Sequence, residues 1–117
     1  MRNRIVALVD DDIAVLDSFR LLLELAGYTV AAYSSAAAFL DDHTADPACL
    51  ISDHRMPRMT GLDLASRLRG EGFGTPILLI TGSPSPAIVA RAAMVGIDVL
   101  EKPANVGDVM TFIDAHL

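Results

Sequence analysis

Apolar residues along this chain fall into two alternating kinds of segment: short continuous runs, and longer stretches in which apolar positions recur every three or four residues. Ile5-Val6-Ala7-Leu8-Val9 is a run of the first kind, as expected for a strand buried on both faces of a parallel sheet. After an acidic turn, Val15, Phe19, Leu22 and Ala26 fall at helical spacing, and Gly27 stops the helix. The alternation then repeats. Tyr28 to Tyr33 reads as strand, with Ser34 or Ser35 capping a short helix through Phe39 and Leu40. Leu50 to Ser52, Ile77 to Ile80 and Val99 to Glu101 read as three further strands. Each precedes a helix: Leu62 to Leu68, Ala87 to Val95 and Val106 to Leu117. Strand–helix units of roughly 20 to 30 residues imply right-handed crossovers and a parallel sheet covered on both faces. The expectation is one three-layer α/β domain over residues 1–117.

Composition narrows the partners. With 117 residues, 52% of them hydrophobic, the chain can bury a core, and it leaves no room for a second module. The net charge of -6 argues against direct binding to nucleic acid or an anionic membrane, both of which need a positive surface. A lone cysteine, Cys49, cannot form an intramolecular disulfide, so a reducing, cytoplasmic setting is expected. The apolar run after Arg2 and Arg4 meets Asp10, Asp11 and Asp12 at once, too soon for a signal peptide. Nothing approaches the roughly 18 apolar residues of a membrane span.

In sheets of this kind a site lies at the carboxyl ends of the strands. The first strand ends in Asp10, Asp11 and Asp12, and the third in Asp53 followed by His54-Arg55-Met56-Pro57 and Gly61. The fourth ends in Thr81-Gly82-Ser83 and the fifth in Lys102-Pro103. Crowded carboxylates repel one another unless a cation sits between them, and an all-oxygen set suits a hard ion such as Mg²⁺. Thr81 offers a hydroxyl and Lys102 a point charge to a phosphoryl group. A carboxylate can itself be the nucleophile, and Asp53 is best placed because it ends a central strand alone. Eight of the basic residues are arginines and Lys102 is the single lysine, which singles out that strand end.

Val-Asp-Asp-Asp at positions 9 to 12, Ser-Asp-His-Arg-Met-Pro at 52 to 57, Gly61, Ile-Thr-Gly at 80 to 82 and Glu-Lys-Pro at 101 to 103 resemble the receiver domain of bacterial response regulators. The order, strand placement and spacing match along essentially the full chain, and the Arg-Met-Pro and Thr-Gly steps lean toward the FixJ-type subgroup. The resemblance implies a flavodoxin-like (CheY-like) doubly wound sheet of order 2-1-3-4-5, working in a two-component phosphorelay. It implies Asp53 as phosphoacceptor, with Mg²⁺ held by Asp10, Asp11, Asp53 and the main-chain carbonyl of Arg55, and Thr81 and Lys102 contacting the phosphoryl group. A cis peptide before Pro103 would aim Lys102 into the site. The donor would be a histidine kinase, a phosphotransfer protein or a small acyl phosphate. The chain would assist its own phosphorylation and dephosphorylation without being an enzyme in the usual sense. An output domain or partner protein would read the result, or a homodimer through the face formed by helix four, strand five and helix five.

Three departures from the family pattern concern that face. Val99 stands where Tyr or Phe usually acts as a rotameric switch, Ala104 where phenylalanine usually follows Lys-Pro, and the connection from Gly96 to Lys102 is one residue short. The phosphorylation residues are untouched by them.

Other readings remain beside this one. Asp10-x-Asp12 also fits an aspartate-dependent phosphohydrolase with Asp10 as nucleophile, although no cap domain encloses a substrate. A flavin-binding module would need hydroxyls and bare amides where three carboxylates stand. A receiver-like interaction domain that takes no phosphate is favoured by Val99 and Ala104 and opposed by Asp53, Thr81 and Lys102. Asp12 reads as a helix cap, Cys49 as a small core residue, and His43 and His54 as residues of solvated loops, with His116 at a frayed end. Arg55 and Arg58 either solvate their loop or rim the donor side. Ile88, Val89, Val95, Val99, Val106 and Met110 read mostly as core, with any excess as an association face.

Overall fold

The computed structural model describes residues 4–42 and 47–117, and in them strand and helix alternate throughout. The order is β1 (Ile5–Val9), α1 (Ile13–Leu25), β2 (Thr29–Tyr33), α2 (Ala36–Asp42), β3 (Cys49–Asp53), α3 (Gly61–Gly70), β4 (Ile77–Thr81), α4 (Pro86–Met94), β5 (Asp98–Glu101) and α5 (Val106–Asp114). His43 lies outside the described residues. All five strands are parallel in one sheet of order β2-β1-β3-β4-β5, as expected.

Two apolar layers follow from the period of two along each strand. Ala7, Val9, Leu50, Ile77 and Leu79 face one side, where Leu64, Ala65 and Leu68 of α3 and Phe39 of α2 cover them. Val6, Leu8, Ile51, Leu78 and Ile80 face the other, beneath Leu16 and Leu23 of α1 and Val109 and Ile113 of α5. Every residue of β3 and β4 is buried, because each strand has a neighbour on both sides and helices on both faces.

Several details differ from the sequence-based expectation. α1 turns Leu16 and Leu23 inward with Phe19 packed beside them, whereas Val15 and Leu22 are 37% and 45% exposed. Leu21-Leu22-Leu23 satisfies helical periodicity in more than one rotational phase, so the pattern alone leaves the inward face open. Ile88, Val95, Val99, Val106 and Met110 pack only at the margins of the core, and Val89 is exposed. The reason is position: β5 is an edge strand, and α4 fully buries only Ala92. His116 is not frayed, since its Nδ1 lies 2.9 Å from the Phe112 carbonyl and its ring is tilted against that phenyl. Cys49 is fully buried, and burial pushes its thiol pKa up to about 12.

Candidate functional site

The loops that follow β1, β3, β4 and β5 converge at the carboxyl edge of the sheet. In the parallel register Asp53 lies opposite Ile80, and Thr81 opposite Glu101, so the last residues of β3 and β4 stand one step apart along the edge. Asp53 is 6% exposed and Thr81 5%, two of the few buried polar residues in the sheet. Their backbones are braced by the His54 N–H donating to the Ile80 carbonyl at 2.9 Å and the Lys102 N–H donating to the Thr81 carbonyl at 2.9 Å. The Ser52 hydroxyl donates to the Asp53 carbonyl at 2.9 Å.

Carboxylate oxygens of Asp10, Asp11 and Asp53 all lie within 4.8 Å of one another. Asp12 stands apart: its side chain accepts from the Ala14 and Val15 amides and caps α1, while its own amide donates to Oδ1 of Asp10 at 2.9 Å. Burial raises the Asp10 pKa, and the nearby Asp53 charge adds to that effect against the Asp12 hydrogen bond. Lys102 reaches in from the end of β5, with Nζ 2.7 Å from Oδ1 of Asp53. That distance makes the ammonium a close ion-pair partner for a carboxylate that is otherwise enclosed. Pairing with Asp53 holds the ammonium pKa above its ordinary value. The Lys102–Pro103 peptide is cis.

An oxygen-only cluster around a buried carboxylate fits a hard divalent cation better than a softer metal. Beside it a cleft of about 400 Å³ is lined by Asp53, Arg55, Thr81, Ser83 and Lys102, among others. Thr81 Oγ1 accepts a hydrogen bond from the Ser83 amide at 3.3 Å. Arg55 therefore shares the cleft with Asp53, and Arg58, exposed and at φ 70, lies in the same loop. On the far side of Lys102 a smaller, mainly apolar cleft of about 210 Å³ runs between Phe19 and Ala104, where the small side chain leaves room.

His54 lies in the loop expected of it but is less solvated than expected. It is half-buried in the cleft wall, its Nδ1 is shielded without a hydrogen-bond partner, and burial lowers its pKa. The residue type next to Asp53 carries no signal of that burial, which depends on how residues 54–61 fold back. Their return is closed by the Gly61 N–H donating to the His54 carbonyl at 2.8 Å.

The profile of the response regulator receiver domain family matches residues 6–114, and the chain belongs to that family. It is 36% identical over 114 residues to the transcriptional regulatory protein FixJ of Azorhizobium caulinodans, covering 96% of this chain and 54% of that protein. It is 35% identical over 118 residues to the response regulator protein TodT of Pseudomonas putida, covering 99% of this chain and 52% of that protein. The chain thus spans about half the length of the full-length relatives it matches. Among solved structures, FixJ-N superposes with a TM-score of 0.83 at 29% identity, covering 100% of this chain and 98% of that one. The chemotaxis protein CheY4 of Vibrio cholerae gives 0.86 at 29% identity, covering 99% and 100%. This chain is a receiver domain of the two-component type, and the hydrolase and flavin readings are not favoured. Asp12, engaged as a helix cap, is not poised as the second carboxylate a phosphohydrolase would use.

Among the described residues no helix is long and apolar enough to cross a membrane.

Proposed function

We propose that Asp53 is the phosphoacceptor of a receiver domain occupying residues 1–117, and that a histidine kinase, a phosphotransfer protein or a small acyl phosphate supplies the phosphoryl group. The observation that carries this reading is the buried Asp53 carboxylate, paired with Lys102 at 2.7 Å and flanked by Asp10 and Asp11. Asp10, Asp11, Asp53 and the main-chain carbonyl of Arg55 would hold Mg²⁺. When bound, that ion neutralises charge on the transferring group.

The other steps belong to the chain. A carboxylate oxygen of Asp53 attacks phosphorus in line; the new O–P bond forms as the bond to the donor's nitrogen or oxygen breaks, and the donor leaves with that electron pair. Lys102 exchanges its pairing with Oδ1 for a phosphoryl oxygen, offsetting the added charge. The Thr81 hydroxyl, which already accepts from the Ser83 amide, donates its hydrogen to another phosphoryl oxygen. The same groups, with water as nucleophile, would assist dephosphorylation. Thr81 lies at the root of the loop entering α4, so its movement biases the face of α4, β5 and α5. An output domain, a partner or a second copy would read that face, in the cytoplasm and without direct contact of this domain with nucleic acid.

The test is intact mass after incubation with acetyl phosphate and Mg²⁺, beside Asp53→Asn and a chelated control. One phosphoryl adduct, mapped to Asp53 and absent from the variant and from the chelated sample, is expected. Label on Asp10 that persists in Asp53→Asn would overturn the reading.

A further inference from the structure

α4 is fastened differently at its two ends. At the C-terminal end Gly96 adopts φ 66, and the Gly96 and Ile97 amides donate back to the Ala93 and Ala92 carbonyls at 3.2 and 3.1 Å. That closure engages the Ala92 and Ala93 carbonyls and leaves those of Val95 and Gly96 to find other donors. Arg69, near the end of α3, supplies both: Nε donates to the Val95 carbonyl at 2.9 Å and a terminal nitrogen to that of Gly96 at 3.3 Å. Its other terminal nitrogen donates to the carbonyls of Phe73 and Thr75 at 2.6 and 2.8 Å. One planar, permanently charged fork therefore joins the α3–β4 connection to the α4–β5 connection, a task lysine's single point charge performs poorly.

The N-terminal end is held by local bonds. Ser85 caps the helix through the Ile88 amide at 3.2 Å, and the Ser83 amide donates to the Thr81 hydroxyl at 3.3 Å. In the latter the Thr81 oxygen is the acceptor, so its hydrogen stays available to turn toward a phosphoryl oxygen.

We propose that Arg69 is a positioning residue that makes the C-terminal end of α4 a fixed pivot, so that rearrangement at Thr81 emerges as a swing of the helix's N-terminal end. The swing rests on the phosphoacceptor reading of Asp53; the clamp does not. Its loss would let the whole helix shift and would blur the change presented to a reader of this face.

Amide hydrogen exchange on the free chain and on its beryllofluoride–Mg²⁺ form, in which beryllium fluoride stands in for the phosphoryl group, tests both parts. In the unsubstituted chain the beryllofluoride form should change exchange at Ile88 and Val89 while Gly96 and Ile97 stay within about twofold. In Arg69→Gln the free chain should exchange about tenfold faster at Gly96 and Ile97, and beryllofluoride should now change those amides too. Arg69→Lys, the milder variant, should fall between. Equal changes at both ends of α4 in the unsubstituted chain would overturn the pivot. So would exchange at Gly96 and Ile97 that is unaltered in both variants. Failure to bind beryllofluoride, read by fluorine NMR, would overturn the phosphoacceptor reading and the swing with it, while the free-chain comparison still decides the clamp.

Discussion

Gly61 lies directly against the main chain of Asp53: a Cβ placed on Gly61 would fall 2.3 Å from the Asp53 carbonyl oxygen and 2.6 Å from Cδ1 of Leu79. The first residue of α3 thus sets the height at which the end of β3 sits, and with it the aspartate side chain.

Gly61→Ala should therefore lower stability by about 1–3 kcal/mol, toward the upper end because a backbone atom rather than a flexible side chain must give way. Phosphoryl uptake from acetyl phosphate should fall with it. Denaturant melts of the variant give the first quantity and intact mass the second; an unchanged melting midpoint would mean the Asp53 segment can move freely.

Neighbouring aspartates should respond in opposite ways. Asp11→Asn should weaken Mg²⁺ binding by calorimetric titration, whereas Asp12→Ala should leave it largely intact and cost about 1 kcal/mol of stability through loss of the α1 cap. Equal metal affinity in the two variants would contradict the assignment of Asp11.

Asp10→Asn should raise the thermal midpoint of the metal-free chain at neutral pH while weakening Mg²⁺ binding. Burial and the Asp53 charge both disfavour an ionised Asp10, so neutralising it relieves the fold of that cost. A lower midpoint in the absence of metal would show that its hydrogen bond from Asp12 outweighs desolvation.

Tyr28 donates its phenolic hydrogen to Asp114 at the opposite end of the molecule, and this bond pushes the phenol pKa from 10.0 up to about 12. Because the folded value exceeds the unfolded one, the stabilisation is complete below pH 10.0 and is lost as pH rises through about 12. Ultraviolet titration of the native chain should show tyrosine ionisation delayed, and Asp114→Ala should return Tyr28 toward its ordinary value. A single transition at the ordinary phenol value in the unsubstituted chain would refute the bond.

Val99 is half-buried against the core, and β-branching gives it few alternatives. The face of α4, β5 and α5 should change modestly with beryllofluoride, so sedimentation should show little shift in association. A clean monomer-to-dimer transition abolished by Val99→Asp would keep this face as the contact and refute the weak switch.

Much of this architecture was legible because each buried run stops at a polar residue. In a parallel sheet those stops share one edge, which is why the sequence alone groups Asp10, Asp53, Thr81 and Lys102. The rotational phase of α1 was not, since its consecutive leucines offer several apolar faces. Nor was the burial of His54, which depends on a loop closed from Gly61. Arg69 carries no distinguishing pattern at all: an arginine at a helix end looks solvated until the carbonyls that surround it are known.

Cys49, at the start of β3, has another consequence. It is the single thiol of the chain, fully shielded and far from its reactive ionisation range. Alkylation must wait for β3 to separate from its neighbours, so the rate of modification becomes a clock for opening of the sheet's centre. Followed by mass spectrometry in the free, metal-bound and phosphorylated forms, that clock would rank their stabilities without an added chromophore. It would also leave any cysteine introduced at the surface as the sole fast-reacting position for a spectroscopic label.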